Sequence, residues 1–210
     1  MSKIIDAKLI DAKIIDAKII DVIIEIPYNT YVKYEIDEKS NKMRCDRILQ
    51  YNITTSNEIN KQTGEIVHHR AINPKFTYPG NYGYIPNTLA GDGDPLDILL
   101  ISDYKLDPDV IIETKIIGVL IMDDEKGRDD KIIVVPSSNV DQHYNKINEI
   151  NDLPAFKINN ITQFFKHYKD EDKNRWSKVI GFGDSKKACE ILEKAQLAVI
   201  HSQLPMYKLS

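Results

Sequence analysis

The sequence predicts an α+β domain, a small antiparallel sheet or barrel followed by helices. Three observations carry that prediction. Short β-rich runs separated by turn-like segments fill the first two thirds of the chain. In the last third the apolar spacing becomes helical. The 210 residues, 42% of them hydrophobic, suffice for one sizeable core.

The opening repeats the unit K-[IL]-I-D-[AV] four times, from Lys3 to Val22. A period of five matches neither the two-residue period of a strand nor the 3.6 of a helix, so the apolar pairs drift around any regular element. Solenoid repeats are longer units that each form a supersecondary piece. Residues 1–20 are therefore expected to be a poorly ordered extension, with a partner-docking arm as the alternative. A single domain is expected over 21–205.

The last copy runs into Val22-Ile-Ile-Glu-Ile-Pro27, a strand ended by Pro and the Asn29-Thr30 turn. Tyr31-Val-Lys-Tyr-Glu-Ile36 then alternates, so Lys33 and Glu35 share one face. Residues 50–75 are polar and read as an inserted hairpin or long loop. Their His68-His69 doublet is a poor metal site, because neighbours on a strand point to opposite faces. Further strands are expected at Leu96–Ile101, Thr114–Ile121 and Lys131–Val135. Ile161, Phe164, Phe165 and Tyr168 fall at i, i+3, i+4, i+7 of a helix. Ala188, Ile191, Leu192, Ala195 and Val199 mark a second, capped by Asp184 or Ser185.

Composition removes several functional classes. With 28 basic and 32 acidic residues the formal charge is −4, which disfavours a generic binder of nucleic acid or anionic membrane. The longest uncharged stretch, Phe76 to Gly91, is rich in Gly, Pro, Asn and Tyr and is no membrane span. Cys45 and Cys189 lie far apart and fit no disulfide framework or CxxC site. MSKIIDAK carries charges where a secretory signal needs an apolar core, so a cytoplasmic location is expected.

The strongest chemical signal is Asp92-Gly-Asp-Pro-Leu-Asp97, three carboxylates leading into an apolar strand. Crowded carboxylates repel, and a hard divalent cation with oxygen ligands is the usual compensation. An EF-hand would need Gly where this chain has Asp97 and a flexible residue where it has Pro95. A phosphatase of the DxD type would need an apolar strand before the cluster, where Asn87-Thr-Leu-Ala-Gly91 stands. A solvated acidic turn stays open for this segment alone. A second cluster, Asp123 to Asp130, forms the expected tip of a hairpin between two core strands. Two such clusters at one mouth of a barrel would suit several magnesium ions. Phe76 to Pro86 adds three tyrosines among Pro and Gly, either loop packing or phenolic donors to phosphate, and Lys33, Arg47, Lys131 and Lys169 add cations.

Taken with Val22-Ile-Ile-Glu-Ile-Pro27, Lys33-Tyr-Glu-Ile36, Asp46-Arg47, Tyr78-Pro-Gly-Asn-Tyr-Gly-Tyr84, Asp124 to Lys131 and Phe165-Lys-His-Tyr-Lys-Asp170, the acidic motif resembles the soluble family I inorganic pyrophosphatases. The match runs in order from about residue 20 to residue 200. The resemblance implies a small OB-like β-barrel with C-terminal helices packed against it, and Mg²⁺-dependent hydrolysis of inorganic pyrophosphate. It implies that Asp92, Asp97 and Asp129 bind the first metals, that Asp124 and Asp129 hold one arriving with substrate, and that Asp94 takes a proton from the attacking water. Lys33, Arg47, Tyr82, Lys131, Tyr168 and Lys169 would grip the phosphates, with Glu25, Glu35, Tyr78 and Lys178 as accessory neighbours. Mn²⁺ or Zn²⁺ would be possible substitutes, and a homohexamer without nucleic-acid or membrane partners is expected. The chain departs from the compact bacterial pattern in the repeats and the 50–75 insertion. The rival class is a non-catalytic barrel binding divalent metal or an oligonucleotide; such a descendant would be expected to lose Asp94, Lys33 or Arg47, and all three are present.

Overall fold

The computed structural model describes residues 18–30, 34–37, 42–45, 55–59, 66–71, 77–170 and 173–203. Strand β1 (Ile19–Ile26) opens inside the fourth pentapeptide copy, burying alternate residues Val22, Ile24 and Ile26. Lys18 already belongs to the fold. Its carbonyl accepts the Ile116 N–H at 2.7 Å and its ammonium meets Glu149 at 3.2 Å. The domain therefore begins within the repeat, and the three earlier copies lie outside the described residues.

Two hairpins follow, β2 (Tyr34–Asp37) with β3 (Lys42–Cys45) and β4 (Thr55–Ile59) with β5 (Ile66–Ala71). The second occupies the polar 50–75 insertion. The remaining strands are β6 (Asn81–Ile85), β7 (Leu96–Leu100), β8 (Ile111–Asp124), β9 (Gly127–Arg128), β10 (Lys131–Pro136) and β11 (Ser177–Gly183). Five of them close a barrel in the order β1-β6-β7-β10-β8, with β8 returning to β1. Antiparallel neighbours alternate in direction, so five strands cannot close on themselves without one parallel seam. That seam is β7 with β10. The 14 residues of β8 serve several partners: its first part pairs with β1, its last part with β11, and β10 runs along it.

Helices α1 (Ala155–His167) and α2 (Ser185–Gln203) cover the barrel. Ile161, Phe164, Phe165 and Tyr168 are buried, as their spacing requires. Asp184 caps α2 by accepting the Lys187 N–H at 2.8 Å. Strand β10 is buried along its whole length and alternates between two cores: Ile133 and Val135 join the α1 cluster, Ile132 and Val134 the α2 cluster. Among the described residues no helix is long and apolar enough to cross a membrane.

Among the described strands β3, β6, β9 and β11 have no counterpart in the sequence expectation, and two of these bear on the site. β6 reads as a Tyr-Gly-Pro loop, yet Gly83 is what lets it approach β1: a Cβ there would stand 1.9 Å from the Ile23 carbonyl oxygen. β11 hides its alternation behind Gly181 and Gly183. Both strands matter to the site, because β6 carries Tyr82 and β11 follows the segment that reaches Glu125.

Candidate active site

The parallel seam builds the centre of the site. Ile132 of β10 faces Ile98 of β7, so one residue earlier Lys131 comes beside Asp97. Asp129, on the approach to β10, is anchored by its own N–H to the Met122 carbonyl at 3.0 Å. The Lys131 ammonium, 2% exposed as a residue, donates to both Asp97 and Asp129. It also stands 5.7 Å from the Tyr82 ring centroid.

One ammonium between two carboxylates leaves the cluster net negative, so its protons are held tightly. Burial pushes the Asp129 carboxyl up to about 6; Asp97 and Asp124 add to the rise and Lys131 opposes it. Burial works against the Lys131 charge, but Asp97 and Asp129 hold its pKa above the usual lysine range. Burial and the same two carboxylates raise the Tyr82 phenol well above its ordinary value.

A second cluster lies at the end of β8. Lys169, just beyond α1 and 4% exposed, donates to Asp124 at 2.8 Å and to Glu125 at 2.9 Å. Glu125 also accepts the Trp176 N–H at 3.3 Å and lies 3.8 Å from the Arg175 guanidinium. Burial would raise both carboxyls, but Lys169 and local N–H donors bring them below their ordinary values. Tyr168 stacks on Phe164 with centroids 5.4 Å apart, and Lys169 lies over its ring at 5.6 Å.

The other expected residues sit around these clusters. Asp92 and Asp94 are exposed on the loop between β6 and β7, where Asp92 accepts the Asp94 N–H at 3.2 Å. Asp92, Asp97 and Asp129 line one cavity of about 230 Å³, which Ile191, Lys194 and Ala195 of α2 also line. Glu25 occupies a bulge of β1 opposite Tyr82 and Gly83. Tyr78 is buried, its ring 4.6 Å from Phe164 and 5.4 Å from Tyr82. Lys178 stands on β11 opposite Asp123, exposed and without an ion pair among the described residues. From that segment Arg175 and Trp176 reach Glu125 instead. Glu35 lies on β2, and Lys33 and Arg47 are outside the described residues. Sequence reasoning missed Glu125 and Arg175. Glu125 was visible only as one more acid in the 123–130 run, and Arg175 had no periodic signal.

A family model described as inorganic pyrophosphatase matches residues 22–199. This chain belongs to the inorganic pyrophosphatase family. The Campylobacter jejuni inorganic pyrophosphatase is 42% identical over 173 residues, covering 82% of this chain and 87% of that protein. The one from Saccharolobus solfataricus is 39% identical, covering 83% and 88%. In structure, the Helicobacter pylori inorganic pyrophosphatase superposes with a TM-score of 0.72 at 34% identity, covering 88% of this chain and 95% of that one. The Neisseria gonorrhoeae inorganic pyrophosphatase gives 0.72 at 31%, covering 88% and 93%.

The donor set of this chain suits a hard divalent cation. Asp92, Asp97 and Asp129 offer only oxygens, share one cavity, and carry more negative charge than Lys131 neutralises. Among the described residues no three potential ligands converge on one point, Lys131 standing between two of the carboxylates.

Proposed function

We propose that this chain is an Mg²⁺-dependent inorganic diphosphatase that hydrolyses inorganic pyrophosphate to two orthophosphates. The observation that carries the reading is the pair of lysine–carboxylate clusters, Asp97-Lys131-Asp129 and Asp124-Lys169-Glu125, in a chain of the inorganic pyrophosphatase family. Pyrophosphate is a dense polyanion, so its hydrolysis needs positive charge on its oxygens and a deprotonated attacking water.

In this reading Asp92, Asp97 and Asp129 hold resident Mg²⁺, and Asp124 and Asp129 hold an ion that enters with the substrate; Mn²⁺ or Zn²⁺ would substitute. When bound, these ions supply Lewis acidity, offsetting phosphate charge and acidifying water. Asp94 takes the proton of the attacking water, a role open to an exposed carboxylate beside the metal-binding acids. The Lys131 and Lys169 ammoniums, held in place by their acids, bind phosphate oxygens with Lys33 and Arg47. Tyr82 and Tyr168 donate hydroxyls to the same oxygens. Glu25, Glu35, Tyr78 and Lys178 are accessory. A homohexamer working in the cytoplasm completes the proposal.

The test is orthophosphate release from pyrophosphate by the purified chain, with Mg²⁺ and with a chelator. Release with Mg²⁺ and none with the chelator is expected. No release from well-folded protein in either condition would return the barrel to the binding class.

A further inference from the structure

The loop that presents Asp92 and Asp94 leaves the barrel at one point, and a single hydroxyl closes that point. The last rung between β6 and β7 pairs Ile85 with Leu96. Just beyond it Thr88, 5% exposed, donates its hydroxyl to the Ile85 carbonyl at 2.6 Å and accepts the Leu96 N–H at 2.9 Å. Asn87, at φ 59°, turns the chain back so that Thr88 can reach both strand ends. Outside this clasp the loop is held by Leu89 N–H to the Ala195 carbonyl of α2 at 3.0 Å, Ala90 N–H to the Asp94 carbonyl at 2.8 Å, and Asp94 N–H to the Asp92 carboxylate at 3.2 Å.

The geometry points to Thr88 as a positioning residue for metal binding, acting through Leu96 on Asp97 and through the base of the loop on Asp92. This rests on the pyrophosphatase reading for its metal. The amide that Thr88 receives belongs to the residue before Asp97, and Asp97 is where Lys131 and the cavity wall meet. A hydroxyl is needed because both of its functions are used, one proton given and one accepted. Without it the bond that Thr88 makes to each strand end is lost, and the Ile85 carbonyl and the Leu96 N–H replace it by drawing water between the strand ends. Asp97 then leaves its register with Asp129, and a polydentate oxygen site tolerates such displacement poorly.

The experiment compares Thr88→Val, which keeps the shape, Thr88→Ser, which keeps the hydroxyl, and Thr88→Ala as a second loss variant. Thr114→Val is the control, because Thr114 is also buried and its hydroxyl bonds the Ile20 carbonyl at 3.0 Å, on β1. Mn²⁺ binding to the substrate-free protein is read by titration calorimetry, beside thermal unfolding and pyrophosphate turnover. Thr88→Val and Thr88→Ala are expected to bind Mn²⁺ about tenfold or more weakly. Their kcat should fall, KM for pyrophosphate should move less than about twofold, and Thr88→Ser should restore wild-type values. Thr114→Val should lose stability and keep its Mn²⁺ affinity. Wild-type Mn²⁺ affinity in Thr88→Val, or an equal loss in Thr114→Val, overturns the assignment. A wild-type protein that binds Mn²⁺ without hydrolysing pyrophosphate sinks the proposed function alone, since the calorimetry still decides Thr88.

Discussion

Lys131 and Asp97 meet across the one parallel seam of the barrel, and Asp129 shares the same ammonium. The lysine holds together two carboxylates that would otherwise repel. Lys131→Met should destabilise the metal-free protein by about 2 kcal/mol, the scale of charged hydrogen bonds lost in a buried place. Mg²⁺ should then raise the melting temperature more in the variant than in the wild type, because the ion takes over the charge balance. Calorimetric melts with and without Mg²⁺ check this; equal shifts in both proteins would contradict it.

Glu125 orients Lys169 and ties Trp176 to the hairpin tip. Glu125→Gln weakens both tasks while preserving shape. Steady-state kinetics should show kcat/KM lower by about tenfold, equivalent to about 1.4 kcal/mol. A variant indistinguishable from wild type would remove Glu125 from the site.

Glu149 lies far along the chain from these clusters and ties the repeat to the helix. Its carboxylate accepts the Ser185 N–H at 2.8 Å and the Ser185 hydroxyl, and it pairs with Lys18 at 3.2 Å. Burial raises its pKa, but the Ser185 hydrogen bonds and Lys18 outweigh this and bring it below the ordinary glutamate value of 4.5. A depressed folded pKa means that stabilisation is present above 4.5 and lost as the pH falls through the folded value. Glu149→Gln should therefore be less stable than wild type at pH 7, by only about half a kcal/mol because the carboxylate is partly exposed and screened by solvent, with unchanged turnover. Denaturant titrations should show that gap closing as the pH drops below 4.5. A gap independent of pH would contradict the account.

Gly83→Ala places a methyl against the Ile23 carbonyl, where no side chain can give way. Urea unfolding should show a loss of about 3 kcal/mol, at the upper end of overpacking costs. A neutral substitution would mean that β1 and β6 can separate freely.

Much of this fold could be read from apolar spacing. The β-rich run Val22–Ile26 reappears as a strand, and the helical spacing of Ile161, Phe164 and Phe165 as a buried face. Strands lacking that signal were hidden for physical reasons. β6 needs Gly83 for close approach, and β11 is interrupted by Gly181 and Gly183. In the site, the two acidic runs bordering core strands were visible in the sequence, the roles of Asp97, Asp129 and Lys131 came from the family resemblance, and the structure puts those three side chains in contact. Glu125 was not legible, since adjacency to Asp124 does not say which acid of a run meets Lys169. The direction of the 173–178 segment, which brings Arg175 and Trp176 to Glu125, depends on a strand the sequence did not announce.

In the proposed mechanism Asp94 takes the proton of the attacking water. Orthophosphate release by Asp94→Asn, measured against wild type over a range of Mg²⁺ concentrations, tests it most directly. Turnover should be lower by about two orders of magnitude at saturating Mg²⁺, with half-activation at nearly the wild-type Mg²⁺ concentration. Unchanged turnover would contradict the assignment.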